Sequence, residues 1–400
     1  VIFVYLILNL LGVVIFLALG IFLSRDRKSI NFKSIATLII LNFFVAWFLL
    51  QFPVGRAIVE FLAGGFVWIL NISFKGIAFA FPDWVNAPQM NFFTSVLMPL
   101  LMIIPLFDIL TYFGILPMFL HAVGKCLAFI TRQPKFESVF AIEMMFLGAS
   151  SAIPISRIQL SKMNSARNLT IAMMSMNCVS AAVVGAYTQI MPPEFILTAI
   201  PLNVINSLAI VNILNPVKVL PEEDNIEKMS VESRESFFAF LNASIVNAGR
   251  IILLICAMVI GFVSLVALID EILLNFSSLL TLENILGVIM FPFAWLLGLS
   301  VDEAFTVAKY MGTKIVTNEF VVMLQAQPHI AEYSKHMQAV LTAFVTSFAN
   351  FGTIGIITGV YRDIVDKKTF ELITGNAKYL MLAGILTSLL SAAIIGIFVW

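Results

Sequence analysis

The chain has 400 residues, 60% of them hydrophobic and 12% charged, with a mean hydropathy of +1.02. Soluble domains are about half apolar and about a quarter charged, so this balance excludes a disordered chain, a secreted disulfide scaffold and a nucleic-acid binder. It leaves an integral protein of the lipid bilayer. Lys plus Arg and Asp plus Glu number 23 each, so the placement of charge carries more information than its sum.

Long apolar runs fall at about 1–24, 34–52, 92–120, 168–191, 195–217, 250–273, 337–360 and 378–400. Each is long enough to cross a bilayer as a helix. The first run precedes Arg25, Arg27 and Lys28. A secretory signal has the opposite order of charge and apolar core, so this run reads as a retained membrane helix. Residues 53–83 begin at Pro53, carry Arg56, Glu60 and Lys75, and read as amphipathic helices lying at an interface.

Two further stretches, 136–165 and 302–325, are apolar but interrupted by Gly, Pro, Ser and charge. Such irregular backbone survives at membrane depth only inside protein or along a wet cavity, so both read as re-entrant hairpins. The segment 237–300 is expected to start with a helix along the cytoplasmic face, then to make one long span and a second interfacial helix. The three cysteines, Cys126, Cys178 and Cys256, lie far apart without metal-ligand spacing and read as packing residues.

Basic residues are unevenly placed. Arg25, Arg27, Lys28, Lys33, Lys125, Arg132, Lys135, Arg157, Lys162, Arg167, Lys218, Lys228, Arg234, Arg362, Lys367, Lys368 and Lys378 fall in one set of loops, whereas the opposite segments carry Arg56, Lys75 and Lys335, with Lys309 and Lys314 in the second hairpin. The positive-inside rule makes the first set cytoplasmic, which places both termini outside and makes the two hairpins enter from opposite faces. The order hairpin, span, span occurs at 136–217 and again at 302–400. That is the inverted-repeat plan of secondary transporters, whose substrate site lies between broken elements near the midplane. The expected fold class is therefore all-α integral membrane, with eight transmembrane helices, two opposed re-entrant hairpins and interfacial helices. Residues 1–120 and 237–300 form a scaffold, 121–217 the first transport repeat and 302–400 the second.

Ionisable residues within apolar zones are functional candidates. Asp108 lies in LLMIIPLFDILTYF and reads as a cap or partner inside a helix bundle. Glu143, close to the Gly148-Ala149-Ser150-Ser151 turn, reads equally as a proton carrier or a hydrogen-bonded buried carboxyl. Lys314, Asn318 and Glu319 lie in the second hairpin, where a bland core would not place adjacent polar groups. Asn350, Gly352, Thr353 and Gly355 interrupt the following span and suit an unwound helix that offers side chains to a polar ligand; Asn177, Ser180 and Gly185 do so more weakly in its partner. An enzyme reading finds no support in a metal-binding His pair or a nucleophile elbow, and Ser150 and Ser151 have no sequence-visible base. A channel is disfavoured by opposed hairpins, which suit alternating access.

Gly312-Thr313-Lys314-Ile315-Val316-Thr317-Asn318-Glu319-Phe320 resembles the G-x-K-x-x-x-N-E-F motif of the concentrative nucleoside transporter family. Pro292 to Gly298 (PFAWLLG) resembles the segment before that hairpin, and Phe348 to Gly355 (FANFGTIG) the segment of the following span. The resemblance covers essentially the whole chain, in the short eight-span bacterial form. It implies a homotrimer in the bacterial cytoplasmic membrane that imports nucleosides by an elevator-like movement. It also implies that Glu319 accepts hydrogen bonds from ribose hydroxyls, with Asn318, Asn350 and Thr353 completing the grip and Phe348 packed nearby.

The first hairpin departs from that family. A G-Q-[TSN]-E motif reads the base there, whereas this chain has Gly148, Ala149, Ser150 and Ser151. Val183 matches an apolar base-contacting position. Where sodium-coupled members place Asn and Ser oxygens, this chain has Met144 and Cys178. Soft sulfur suits sodium poorly, which leaves backbone carbonyls near Leu147 and Val179. Proton coupling, with Glu143 or Glu319 as carrier, is expected over sodium, and no cofactor is expected. The alternative cargo is a modified nucleoside or another ribosyl compound.

Overall fold

The computed structural model describes residues 2–227 and 235–400; Val1, Lys228 and Arg234 lie outside them. Three long helices open the chain, α1 (Ile2–Leu23), α2 (Phe32–Leu50) and α3 (Pro53–Ala80), then a short α4 (Pro82–Val85). A π-helical turn over Phe93–Leu97 leads into α5 (Leu100–Tyr112). Gly114, at φ +75°, separates α5 from α6 (Ile115–Thr131). The first hairpin comprises α7 (Lys135–Leu147), α8 (Ala149–Ile155) and α9 (Arg157–Lys162). A broken helix follows as α10 (Ser165–Ser175) and α11 (Ala181–Ile190), then α12 (Pro193–Leu214).

The second half starts with α13 (Phe237–Leu274) and α14 (Leu282–Trp295). The second hairpin is α15 (Val301–Val316) with α16 (Glu319–Ala326). A second broken helix, α17 (Lys335–Val345) and α18 (Phe351–Tyr361), is followed by α19 (Lys367–Gly375) and α20 (Ala377–Ile397). The chain thus makes hairpin, broken helix and continuous helix twice.

Helices α12 and α20 are the most buried of the long ones and pack on each other at the centre. Their polar side chains work as fasteners. Asn206 Nδ2 donates to Ser391 Oγ at 2.9 Å, and Asn9 of α1 donates to the Ala393 carbonyl at 2.8 Å. The repeats then interlock: α8 of the first hairpin packs on α18, and α16 of the second packs on α11. Each hairpin therefore closes against the other repeat's broken helix, which makes the two repeats a single packed body.

Seven helices among the described residues are long and apolar enough to cross a membrane. Six answer to runs expected from sequence. The seventh is α3, where the sequence suggested interfacial helices over 53–83. Instead α3 is one continuous 28-residue helix with Arg56 and Glu60 in its first two turns. Gly64 and Gly65 do not interrupt it, because each retains its backbone N–H and no proline follows Pro53 within the element. The expected cytoplasmic helix at the start of 237–300 is likewise part of α13, a single 38-residue helix without proline. At about 1.5 Å per residue α13 extends about 57 Å, well beyond a hydrocarbon core of about 30 Å. The expected run 92–120 stops at Phe113, so the boundary drawn at 120 falls inside α6, which packs chiefly on α7.

The expected spans 168–191 and 337–360 are interrupted at 176–180 and 346–350. Buried backbone groups freed by such breaks must find partners, and several partners are supplied by other elements. Lys314 Nζ donates to the Phe344 carbonyl at 2.7 Å, and Asn203 Nδ2 to the Thr346 carbonyl at 2.7 Å. Phe348 N donates to the Cys178 carbonyl at 3.2 Å, tying one unwound segment to the other. Leu147 and Ser180 form an isolated antiparallel bridge that ties the first hairpin's tip to the first break.

Candidate functional site

Both hairpin tips and both helix breaks meet at one cavity of about 500 Å³, within the size range of small-molecule sites. Asparagine organises two of its four corners. Asn318 caps α16, its Oδ1 accepting from Val321 N at 3.0 Å, and Asn350 caps α18 by accepting from Thr353 N at 3.0 Å. Both residues are extended, and each cap starts a helix whose N-terminal dipole points at the cavity. The caps use Oδ1, so the amide nitrogen of each keeps its donors.

Glu319 is the first residue of α16 and 5% exposed. Tyr187 of α11 donates its hydroxyl to Glu319 Oε1 at 2.9 Å, whereas Oε2 has no hydrogen-bond partner among the described residues. A buried acceptor left unpaired costs about 1–3 kcal/mol, and more when charged. Lys314, fully buried near the end of α15 and five residues before Glu319 across the break, supplies a positive field to this carboxylate. Its ammonium is held by the Phe344 carbonyl and by Ser347 Oγ, at 2.7 Å each, and lies 4.9 Å from the centre of the Phe344 ring. Lys314 therefore does two things: it replaces backbone donors at the second break, and it offsets the Glu319 charge.

Thr353 Oγ1 donates to the Phe348 carbonyl and lies 3.3 Å from Asn350 Oδ1. The hydroxyl's lone pairs remain available as acceptors. Ser150 and Ser151 at the start of α8 line the cavity and are exposed to it, and Val183 of α11 and Phe348 complete the apolar wall.

Most of the residues expected from sequence to hold the substrate or a coupling ion come together here: Glu319, Asn318, Asn350, Thr353, Phe348, Ser150, Ser151, Val183 and Leu147 all line the cavity. Three of that set do not, and Lys314, Asn177, Gly185 and Gly355 also lie off its lining. Ala149 is 4% exposed and buried behind the tip. Its neighbour Gly148, at φ +73°, turns α7 into α8 and leaves Ser150 and Ser151 as the residues presented. Val179 lies behind the first break, where its N–H meets the Met144 carbonyl at 3.3 Å. Glu143 is on another side of α7, in a seam with α6, and its Oε1 lies 3.4 Å from His121 Nε2. Tyr187 and Asn247 carry no signal in the sequence, and Asp108, a candidate there, reads chiefly as a structural residue; Asp108 and Asn247 line the cavity from α5 and α13. A tyrosine seven residues after the unwound segment gave no periodic signal, because every face of α11 is buried.

Among the described residues no group of three or more His, Cys, Asp or Glu could hold a metal ion. Met144 and Cys178 are both buried, at 3% and 1% exposure. Beside Met144 lies a void of about 10 Å³, bordered by Asn177, Asn203 and Ser207. Both polar atoms of the Asn177 side chain lack partners among the described residues, as does Asn203 Oδ1.

This interlocked pair of repeats around a polar cavity is matched by known proteins. The Na+ dependent nucleoside transporter C-terminus model matches residues 195–396 and its N-terminus counterpart matches 11–84. The purine nucleoside transport protein NupG of Bacillus subtilis is 41% identical over 396 residues, covering 99% of this chain and all of that protein. The chain belongs to the concentrative nucleoside transporter family. It is thus a multi-pass membrane transporter and not an enzyme. The nucleoside permease NupC of Helicobacter pylori is 24% identical and covers 96% of each chain. The solved inward-facing, substrate-bound structure of the transporter CNTnw superposes with a TM-score of 0.91 at 23% identity, over 98% of both chains. An outward-facing variant of the same transporter gives 0.92 over 99% of this chain. The all-helical fold is the one expected from sequence.

Proposed function

We propose that this protein imports nucleosides across the bacterial cytoplasmic membrane as a secondary active symporter. The observation that carries the reading is the unpaired Oε2 of Glu319, in a 500 Å³ cavity beside two cap asparagines with free donors. Vicinal ribose hydroxyls supply the donors this carboxylate lacks, and charge-assisted bonds are roughly twice as strong as neutral ones. Asn350 donates back to a ribose oxygen, Thr353 accepts, Asn318 fixes the start of α16, and Phe348 and Val183 pack the apolar faces. The naming of NupG as a purine nucleoside transport protein supports a purine nucleoside as cargo. A modified nucleoside or other ribosyl compound is favoured by the short side chains of Ser150 and Ser151, which leave room at the base end.

In this reading both hairpins are re-entrant from opposite faces, and the two repeats move together past a scaffold in an elevator-like step, as a homotrimer with both termini outside. Support comes from the interlocking of α8 with α18 and α11 with α16, which gives one body to move. The inward- and outward-facing states solved for a chain of this fold support it further. The coupling ion is a proton, carried at Glu143 beside His121 or at Glu319, since Met144 and Cys178 offer sulfur near the Leu147 and Val179 carbonyls. Sodium is the alternative, favoured by the hard amide oxygens of Asn177 and Asn203 around the small void.

The test is uptake of a radiolabelled purine nucleoside into proteoliposomes under imposed cation gradients. Accumulation above the external concentration, collapsing when the gradient is dissipated, is expected. Equilibration without accumulation would make the protein a channel or facilitator and refute symport.

A further inference from the structure

The cavity wall opposite the two repeats belongs to α5 and α13, and it carries a carboxylate. Asp108 lines the cavity, and its Oδ2 accepts a hydrogen bond from Ser244 of α13. No described residue hydrogen-bonds its Oδ1, and no described cation pairs with it. Structure alone gives little reason for an acid here. An Asp within a membrane helix costs about 2.5–3.5 kcal/mol at the centre of a bilayer. Asp108 also lies one turn before the C-terminus of α5, the end toward which the helix dipole favours cations and not acids. One serine does not offset that. One helical turn beyond Ser244 on α13, Asn247 presents a second polar group to the same cavity.

We propose that Asp108, assisted by Asn247, reads the base, and that it selects purines bearing two adjacent N–H donors, the guanine pattern of N1–H and 2-amino group. The inference rests on the nucleoside reading above. The ribose end is fixed by Glu319 and Asn350, and the first hairpin offers the base only the short Ser150 and Ser151 hydroxyls. A base projecting from that grip meets the α5–α13 wall. A carboxylate is acceptor-only and pairs best with two parallel donors. Guanine offers such donors side by side, with its 6-oxo group next to them for the Asn247 amide. Adenine turns its acceptor N1 toward the carboxylate, and two acceptors facing each other leave both unpaired. Because Asp108 and Asn247 are on the wall that the repeats move past, they touch the base in one access state and not in the other.

The experiment is competition for labelled guanosine uptake by proteoliposomes, using guanosine, inosine, 1-methylguanosine, adenosine and 2′-deoxyguanosine, with wild-type protein and Asp108→Asn. In the wild type, losing either donor should weaken competition by about tenfold, the equivalent of about 1.4 kcal/mol. In Asp108→Asn, guanosine, inosine and 1-methylguanosine should converge to within about twofold, while 2′-deoxyguanosine stays as disfavoured as before. A wild type that does not rank guanosine above inosine and 1-methylguanosine overturns the proposal, and this comparison stands even if Asp108→Asn does not assemble. An unchanged ranking in an active Asp108→Asn overturns it as well. Absence of competition by every nucleoside would instead refute the nucleoside reading itself.

Discussion

Glu319 occupies a position that ordinary packing would not choose. It starts a helix, where the dipole favours an acid, yet only one of its oxygens is used, by Tyr187. A Glu319→Gln variant keeps the shape and the Tyr187 contact but loses the charge. Each charge-assisted bond is worth about 1.5–3 kcal/mol, so nucleoside affinity should fall by roughly 10- to 150-fold per bond, with normal assembly. Isothermal titration of the detergent-solubilised protein measures this, and wild-type affinity in the variant would remove Glu319 from the ribose grip. Tyr187→Phe should give a smaller loss, since it leaves the carboxylate intact and only less fixed. The motif around Asn318 and Glu319 made this residue legible in the sequence. Tyr187 and Asn247 were not, because neither interrupts an apolar pattern. Asp108 did interrupt one, but bundle capping was the stronger reason for it until α5 was placed on the cavity wall.

At the scale of elements, the apolar runs located the helices and the polar interruptions located the hairpins to within a few residues. Continuity was harder to read. Asn177 and Ser180 gave a faint signal for the first break, yet it is as complete as the second, because tertiary partners decide it: Cys178 O is taken by Phe348 N from the other repeat. Conversely, Arg56, Glu60 and Lys75 suggested interfacial pieces over 53–83, yet α3 is continuous, and Gly64 and Gly65 in it, like Gly249 and Gly261 in α13, break nothing. Glycine matters instead where helices touch. A Cβ at Gly312 on α15 would lie 2.3 Å from Leu286 Cβ on α14, whereas one at Gly64 on α3 meets nothing within 4 Å. Gly312→Ala should therefore destabilise by about 1–3 kcal/mol, the usual cost of overpacking, and weaken substrate binding by shifting α15 beneath Glu319. Gly64→Ala should be neutral or stabilising by up to about 1 kcal/mol. Thermal unfolding of both variants in the same detergent distinguishes them, and equal melting temperatures would mean that the α14–α15 contact yields freely.

For the whole molecule, the candidate substrate cavity and the candidate proton group are in different places. Glu319 faces the cavity, while Glu143 sits in the seam of α6 and α7, 3.4 Å from His121 and shielded from the cavity by the hairpin itself. A cation bound in that seam can change how the first hairpin packs without touching the nucleoside, which is the arrangement coupling requires: a ligand must bind two conformations differently to shift them. An inward proton gradient should then drive accumulation, and an inward sodium gradient at equal pH should drive little. Glu143→Gln should abolish proton-driven accumulation while retaining exchange of internal for external nucleoside, because exchange needs the cavity and not the gradient. Parallel flux assays in proteoliposomes separate the two activities. Strong, pH-independent accumulation on sodium would overturn proton coupling and direct attention to Asn177 and Asn203, whose unpaired amide oxygens border the small void beside Met144. In that event Asn203→Leu, rather than Glu143→Gln, should uncouple the transporter.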